Sequence, residues 1–211
     1  MRLFLIRHGQ TAWNAEGRAQ GQTDIGLDEG GLVQVEQLAH AFSGERLGEI
    51  WSSDLLRARE TAEPVAAQTG ARLRLDPRLR ERTFGEWEGL PFELIARKTH
   101  ELHSDAQDSL DVQPPRGESV RHVWERLAPV AEAVFSYPRD LAIVTHGGSG
   151  ALLLARLLKG TLQTARAFRF GNTAITQLTR RPEGLFLMER YNDLSHLLLP
   201  ARQGDLDGAH R

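Results

Sequence analysis

The sequence predicts an α/β fold in which a mostly parallel β-sheet lies between helices, in three layers. First, short apolar runs alternate along the chain with segments whose apolar residues recur at helical spacing. Second, two of these runs, residues 3–6 and 141–145, are apolar almost throughout, which is typical of strands buried on both faces. Third, each of the two runs is followed within three residues by a histidine and then a glycine. The 211 residues are enough for one domain with a full core.

The first half of the chain contains three predicted strands and two predicted helices. The strands are predicted over residues 3–6, 49–52 and 72–75, and the helices over residues 28–42 and 55–69. Asp28 is expected to cap the first of these helices, and Gly70 to end the second. The alternating pattern of residues 72–75 predicts an edge strand.

The second half combines an irregular segment with the remaining elements. Residues 99–118 are polar and contain two adjacent prolines, which predicts an irregular surface segment. Pro129 lies inside a helical pattern that starts near Glu118, so a kink or break is expected there. The other predictions are a strand over residues 141–145, a helix over 151–158, a hairpin of strands 173–178 and 185–191, and a frayed end over 201–211.

The composition is that of an ordinary globular protein, with a formal net charge of -2. That charge provides no general attraction for nucleic acid or anionic membranes. The chain has no cysteine, which excludes disulfides and every mechanism with a cysteine nucleophile. The N-terminal apolar run is too short for a signal peptide, and nothing approaches the roughly 20 apolar residues that span a bilayer. We therefore expect a cytoplasmic protein without nucleic-acid or membrane partners.

The two histidines that follow the apolar runs are the first candidates for chemistry. If the two strands are neighbours, His8 and His146 lie at the same edge of the sheet, where α/β proteins bind ligands. A histidine that attacks phosphate needs one free ring nitrogen, a partner for the other, positive charge and an acid for the leaving oxygen. Arg7 and the carbonyl of Gly9 would supply charge and a ring partner, and Arg57 follows a predicted strand into the same crevice.

Further motifs extend this pattern along nearly the whole chain. They lie, in order, at residues 5–14, 52–63, 79–89, 117–119, 144–148, 172–173 and 192–197. Together they resemble the histidine phosphatase superfamily, which includes the cofactor-dependent phosphoglycerate mutases. The Gly-Glu-Trp-Glu-Gly stretch at 85–89 and the Asn-Asp-x-x-His-Leu tail at 192–197 are most similar to the broad-specificity and α-ribazole-type phosphatases. The resemblance implies a phosphoglycerate mutase-like fold with a small cap formed by an insertion.

The resemblance also implies a role for each matching residue. His8 is expected to be the nucleophile that becomes phosphohistidine. Glu81 is expected to be the general acid for the leaving alcohol and then the base that activates water. The groups expected to hold the phosphate are Arg7, Arg57, His146, Asn14 and the backbone N–H of Gly147.

Two features of this implied site stand out. Glu81 must carry a proton near neutral pH, which burial or a carboxylate such as Glu86 or Glu88 would favour and the adjacent arginines would oppose. The sequence leaves that balance open. In addition, Gln20 precedes Gly21 where mutases commonly have threonine, so both are expected to contact the substrate.

The expected partner is a small-molecule phosphate ester. Residues 82–120 are expected to cap the crevice and set specificity, within a single domain that spans residues 1–211. No metal or other cofactor is expected, because arginines can neutralise the phosphate. The sequence identifies neither the ester nor the oligomeric state.

The main alternative is a cofactor-dependent phosphoglycerate mutase. Glu81-Arg82 is similar to mutases, but those proteins have more chain between the catalytic glutamate and the second histidine than residues 82–145 provide here. A phosphate-binding module without catalysis is the second alternative, although every catalytic position is occupied. A metal centre is disfavoured because no histidines or carboxylates repeat at ligand spacing. A dinucleotide site at residues 148–150 is disfavoured because Leu153 stands where the third glycine should be.

Overall fold

The structure, a computed structural model, describes residues 1–103 and 109–198. Its strands are β1 Arg2–Arg7, β2 Glu49–Ser52, β3 Arg72–Leu75, β4 Leu141–Thr145, β5 Ile175–Arg180 and β6 Phe186–Asp193. Its α-helices are α1 Ala12–Ala15, α2 Glu29–Ala41, α3 Leu56–Thr69, α4 Phe92–His103, α5 Val120–Ser136 and α6 Gly147–Leu157. The predicted frayed end over residues 201–211 lies outside the described residues, as does part of the predicted irregular segment, residues 104–108.

The six strands form a mostly parallel sheet in the order β3-β2-β4-β1-β5-β6. β1 pairs in parallel with β4, and Arg7 lies opposite Thr145. The two strands are thus neighbours, which is the condition under which the sequence places the histidines that follow them side by side. β5 runs antiparallel to both β1 and β6, which confirms the predicted hairpin. β3 is an edge strand, also as predicted.

Helices cover both faces of the sheet and give the three predicted layers. In β1, Leu3 and Leu5 pack in one core cluster with residues of α5 and α6. Phe4 and Ile6 point the other way and pack in a second cluster with residues of α2 and α3. All four side chains are at most 2% exposed. Burying each of them contributes about 1.5–3 kcal/mol, so β1 is strongly anchored from both sides.

The helices of residues 1–103 and 109–198 are all too short or too polar to cross a membrane.

The expectation of an irregular segment over residues 99–118 is wrong at its start, because α4 extends to His103. Among the described side chains of α4, only that of Ile95 is buried. It packs with Phe84 and Trp87. So narrow a buried stripe leaves little apolar periodicity in the sequence.

Of the kink or break expected at Pro129, the break does not occur, because α5 runs through it from Val120 to Ser136. A proline inside a helix removes one backbone hydrogen bond. Around Pro129, Leu127, Val130 and Ala131 are at most 5% exposed in the core and hold the helix in place. Tertiary packing therefore outweighs the local penalty.

The helix predicted over residues 151–158 begins earlier, at Gly147. Glycine is a poor helix former, so the sequence around Gly147 and Gly148 favours a loop. In the structure, the carboxylate of Glu81 accepts hydrogen bonds from the N–H groups of Gly148 (2.9 Å) and Ser149 (3.1 Å). This capping group is remote in sequence, which explains why the early start was not predicted.

Candidate active site

A cavity of about 570 Å³ lies at the carboxyl ends of β1 and β4. The predicted site residues that line it are Arg7, His8, Asn14, Gln20, Gly21, Arg57, Glu81 and Gly147. The remaining predicted residue, His146, lies against His8 with the ring centroids 5.1 Å apart. The structure thus brings every predicted site residue into one place.

His8 is held in one tautomer by its own backbone neighbour. Its Nδ1 atom lies 2.7 Å from the carbonyl oxygen of Gly9. Because a carbonyl can only accept, Nδ1 carries the proton and Nε2 keeps a free lone pair. The backbone of Gly9 is itself fixed, since its N–H donates to Thr61 Oγ1 at 2.9 Å. Burial, followed by the charges of Arg57 and Arg7, lowers the pKa of His8 well below its usual value, so the ring is neutral at neutral pH.

His146 is likewise buried, with 1% of its surface exposed. Its Nε2 atom lies 2.8 Å from the hydroxyl of Ser53, and its Nδ1 atom is buried without a hydrogen-bond partner. Burial, together with Arg57 and His8, lowers the pKa of His146 well below its usual value. Two neutral imidazoles therefore stand side by side at neutral pH.

Arg57 is almost completely buried, with 1% of its surface exposed. Its Nη2 atom donates to the carbonyl of Gly21 at 2.8 Å, and its Nη1 atom donates to the carbonyl of Thr23 at 3.0 Å. Its Nε atom is buried with no partner. Burial lowers the pKa of Arg57 to about 10, and the group stays charged at neutral pH.

Arg7 repeats this arrangement on the other side of His8. Its Nη1 atom donates to the carbonyl of Phe170 at 2.6 Å, and its Nε atom is buried without a partner. Burial lowers the pKa of Arg7. Buried polar groups in proteins almost always have a partner. Orphaned donors on Arg7 and Arg57, beside an orphaned nitrogen of His146, therefore indicate a cavity built for an anionic ligand.

Glu81 lies at the N-terminus of α6. Besides the N–H groups of Gly148 and Ser149, its carboxylate accepts the N–H of Arg82 at 2.9 Å. The N–H of Gly147, one residue earlier in the same helix, has no acceptor among the described residues and lines the cavity. The positive end of the helix dipole and this N–H group both favour an anion at that point.

The carboxylates expected to assist Glu81 are engaged elsewhere. Glu88 accepts hydrogen bonds from the backbone of Gln22 and Thr23 and from the hydroxyls of Thr23 and Thr83. Glu86 forms an exposed ion pair with Arg116. Their role is to hold the surrounding loops rather than to act on Glu81.

Gln20, Gly21 and Asn14 complete the rim of the cavity. Gln20 is 6% exposed, and its Oε1 atom is buried with no partner. Gly21 has a φ of +56°, and a Cβ atom there would lie 2.1 Å from Glu88 Oε1, so both conformation and space require glycine. Asn14 accepts the N–H of Thr11 through Oδ1, which leaves its NH2 group with no acceptor in the described part of the chain.

Sequence reasoning missed a large apolar part of the cavity, which we term the apolar wall. It consists of Phe84, Phe92, Leu110, Val120, Ala151, Leu152, Leu162, Ala165, Phe168 and Phe170. Arg82 stacks on Phe84 at 4.3 Å beside this wall. The wall is assembled from three separate segments, so no local periodicity in the sequence announces it.

Two polar residues of the site were also underestimated. Ser53 lies within the motif at residues 52–63, and its hydroxyl contacts His146. Asn172 was noticed only through the family resemblance, and its Nδ2 atom donates to the carbonyl of His8 at 3.0 Å. Among the residues that the structure describes, no three histidine or carboxylate side chains are grouped so that they could hold a metal ion.

An α/β sheet with histidines and arginines around a cavity at its carboxyl edge defines a class of proteins suited to bind phosphate. The model of the histidine phosphatase superfamily (branch 1) matches residues 3–194. The chain belongs to this superfamily, as its motifs predict.

Relatives within the superfamily differ in the activity that their names give. A probable phosphoglycerate mutase from Cronobacter sakazakii is 32% identical, over 95% of this chain and 97% of its own length. The structure of a mycobacterial glucosyl-3-phosphoglycerate phosphatase in complex with VO3 is 34% identical, with a TM-score of 0.78 over 90% of this chain and 98% of that one. A putative α-ribazole-5'-P phosphatase from Escherichia coli is 25% identical, with a TM-score of 0.82 over 92% of this chain and 97% of that one. The predicted fold is confirmed by these similarities.

Proposed function

We propose that the protein is a metal-independent phosphomonoesterase that hydrolyses small phosphate esters through a phosphohistidine intermediate on His8. The observation that carries this proposal is the setting of His8. Its Nε2 lone pair is free, and the orphaned Nε donors of Arg7 and Arg57 lie in the same buried cavity. These are the groups that in-line attack on a phosphate requires.

In the first step, Nε2 of His8 attacks phosphorus. An N–P bond forms while the bond from phosphorus to the ester oxygen breaks. Glu81 donates a proton to the departing oxygen, so the product leaves as an alcohol. For this transfer, the ester oxygen must displace one of the hydrogen bonds that the carboxyl group receives from the start of α6.

In the second step, water attacks the phosphohistidine. Glu81, now ionised, takes one proton from the water as the new P–O bond forms and the N–P bond breaks. Inorganic phosphate is released, and His8 and Glu81 return to their starting protonation states.

Positive and dipolar groups stabilise the charge on the three non-bridging oxygens in both steps. Arg7 and Arg57 supply permanent charge from a buried position, where electrostatic interactions are strong. The free N–H of Gly147 and the NH2 group of Asn14 supply neutral donors. If Ser53 donates its hydroxyl proton to Nε2 of His146, the Nδ1 atom of His146 carries a proton for the phosphate as well.

We propose that residues 82–120 cap this site within a single domain. Phe84, Phe92, Leu110 and Val120 belong to this segment, and each lines the cavity. The alcohol part of the ester would pack against the apolar wall while its phosphate faces the arginines. Gln20, whose Oε1 atom lacks a partner, would accept a hydrogen bond from the substrate.

A phosphoglycerate mutase is the second candidate, favoured by the name of the Cronobacter relative. Both activities use a phosphohistidine, and they differ in whether water or a second hydroxyl receives the phosphate. A wall that is largely apolar favours esters less polar than phosphoglycerate, which supports the phosphatase.

Paired assays test the proposal. The protein is incubated with an aryl phosphate, and separately with 3-phosphoglycerate plus the bisphosphoglycerate cofactor, with a chelator in both. We expect rapid phosphate release and little 2-phosphoglycerate. Efficient isomerisation with little release would identify a mutase. Absence of both activities, with no acid-labile phosphate on the protein, would contradict a phosphohistidine enzyme and leave a phosphate-binding module.

A further inference from the structure

The loop formed by residues 170–173 contacts both Arg7 and His8. The carbonyl of Phe170 accepts a hydrogen bond from the guanidinium of Arg7. The N–H of Thr173 donates to the carbonyl of Arg7 at 3.0 Å and to that of His8 at 3.3 Å. This loop therefore orients the guanidinium of one residue and the backbone of both.

Asn172 adds a side-chain contact from the same loop. Its Nδ2 atom donates to the carbonyl of His8 and, at 3.1 Å, to Oδ1 of Asn14. The carbonyl of His8 thus receives two hydrogen bonds from the 170–173 loop. A small rotation of this loop would change the direction in which the imidazole points.

The 170–173 loop is conformationally strained. Thr173 has a φ of +57° and is fully buried. A β-branched residue in the left-handed region is a genuine outlier, which persists only where the surroundings hold it.

The C-terminal tail provides these holding contacts. The hydroxyl of Thr173 donates its proton to the carbonyl of Asn172 at 2.7 Å, so Nε2 of His196, 3.1 Å from the same oxygen, must be the donor to it. His196 is 5% exposed. Asn192 holds the loop at a second point, because its Oδ1 atom accepts the N–H of Gly171 at 2.7 Å.

We propose that His196 and Asn192 are positioning residues that act through the 170–173 loop to align Arg7 and His8. The inference rests on the proposed function of His8. It assigns a task to the Asn-Asp-x-x-His-Leu motif, which touches neither the cavity nor the phosphate groups directly. Supporting groups of this kind determine whether a reactive side chain is held within a fraction of an ångström.

Two substitutions of Thr173 separate positioning from packing. Thr173→Val keeps the shape and the β-branch but removes the hydroxyl, whereas Thr173→Ser keeps the hydroxyl and removes a methyl group. A packing role predicts that Val is tolerated better than Ser. The positioning role predicts the reverse. In Thr173→Val, kcat on an aryl phosphate should fall about tenfold to a hundredfold, whereas in Thr173→Ser it should stay within about threefold of the native value.

Variants of His196 provide the second arm. His196→Gln retains a donor nitrogen and should retain most of kcat, whereas His196→Leu should lose as much as Thr173→Val. The double variant of Thr173→Val and His196→Leu should lose no more than either single variant, because both break the same contact. Val134→Ala, fully buried in α5 where the neighbouring Phe135 accepts a hydrogen bond from Arg180 at the end of β5 opposite the loop, is the matched control for lost stability and should leave kcat unchanged.

Each outcome is decisive. Three results would overturn the inference while leaving the phosphatase intact. They are a native kcat in Thr173→Val, equal losses in Thr173→Val and Thr173→Ser, and a comparable loss in Val134→Ala. If the native protein releases no phosphate from the ester, the proposed function fails. The positioning role is then tested by the affinity for inorganic phosphate, measured by calorimetry. This affinity should weaken about tenfold in Thr173→Val but not in Thr173→Ser, and equal affinities in the two variants would reject the positioning role.

Discussion

The two sides of the cavity are built by opposite means. On the phosphate side, His8, Arg57 and His146 are at most 3% exposed and are oriented by hydrogen bonds to the backbone or to Ser53. On the other side, the apolar wall draws on segments outside the sheet, and Phe92 is 52% exposed. Hydrogen bonds are directional and apolar contacts are not. The chemistry is therefore held rigidly, while the fit to the rest of the substrate is adaptable.

The largest expected effect comes from removing the nucleophile. His8→Ala should reduce the hydrolysis of an aryl phosphate by about four orders of magnitude or more, because the change removes the proposed attacking nitrogen. Initial rates of phosphate release provide the measurement. Acid-labile phosphate on the native protein is measured in parallel. Turnover clearly above the uncatalysed rate in the variant would reject His8 as nucleophile.

Glu81→Gln should have a smaller effect that depends on the leaving group. An amide keeps an oxygen acceptor for the start of α6 but cannot donate a proton to the leaving oxygen. We expect kcat/KM for an alkyl phosphate to fall about 10²- to 10³-fold and that for an aryl phosphate to fall less than about tenfold. Equal losses on the two esters would argue against general-acid catalysis.

The buried histidines should make stability depend on pH. The folded-state pKa values of His8 and His146 are lowered, so below pH about 6.5 the unfolded chain binds protons that the folded chain does not. Their contribution is fully present above that pH and is lost as the pH falls. The free energy of unfolding should decrease by up to about 1.4 kcal/mol per pH unit for each histidine.

Urea unfolding at several pH values between 7.5 and 5 measures this dependence. His8→Asn should reduce the slope by up to one proton, whereas Val33→Asn, which is 56% exposed in α2 and removes no titratable group, should leave it unchanged. Identical slopes in the three proteins would contradict a neutral, buried His8.

The smallest expected effect concerns the apolar wall. Phe92→Ala should lower kcat/KM for hexyl phosphate about threefold to tenfold and leave kcat/KM for methyl phosphate unchanged. The reason is that each Å² of lost apolar contact costs roughly 25 cal/mol, and only the hexyl chain is long enough to lose it. Leu187→Ala, which is 42% exposed on β6 and does not line the cavity, is the matched control. Similar changes for both esters would show that Phe92 does not contact the alcohol group.

Much of the sheet could be predicted because buried parallel strands have an unmistakable composition. The runs before His8 and His146 also share one design, but only the structure shows that β1 and β4 are neighbours. Where the sequence misled, a tertiary contact outweighed a local preference. Glu81 caps α6 from 67 positions away in the chain, and core packing carries α5 across Pro129.

Within the candidate site, the charged residues nearest His8 were predicted, whereas the apolar residues and the lining arginines Arg18, Arg166 and Arg169 were not. Arginine and histidine beside a glycine turn are rare and specific, so a short motif can identify them. Phenylalanine and leucine occur throughout any core, and only the folded chain shows that Phe84, Leu152 and Phe168 face one cavity. The link from His196 through Thr173 to His8 is equally invisible before folding, since its members lie far apart in sequence.

The central place of β1 in the sheet has a consequence for how the molecule opens. β1 lies between β4 and β5, and its inner side chains are buried from both faces, so its amide protons should exchange with solvent only through global unfolding. The amides of α4, which buries little of its surface, should exchange through local opening. The helix that carries Phe92 of the apolar wall can therefore open to solvent while the strand that leads into His8 remains closed.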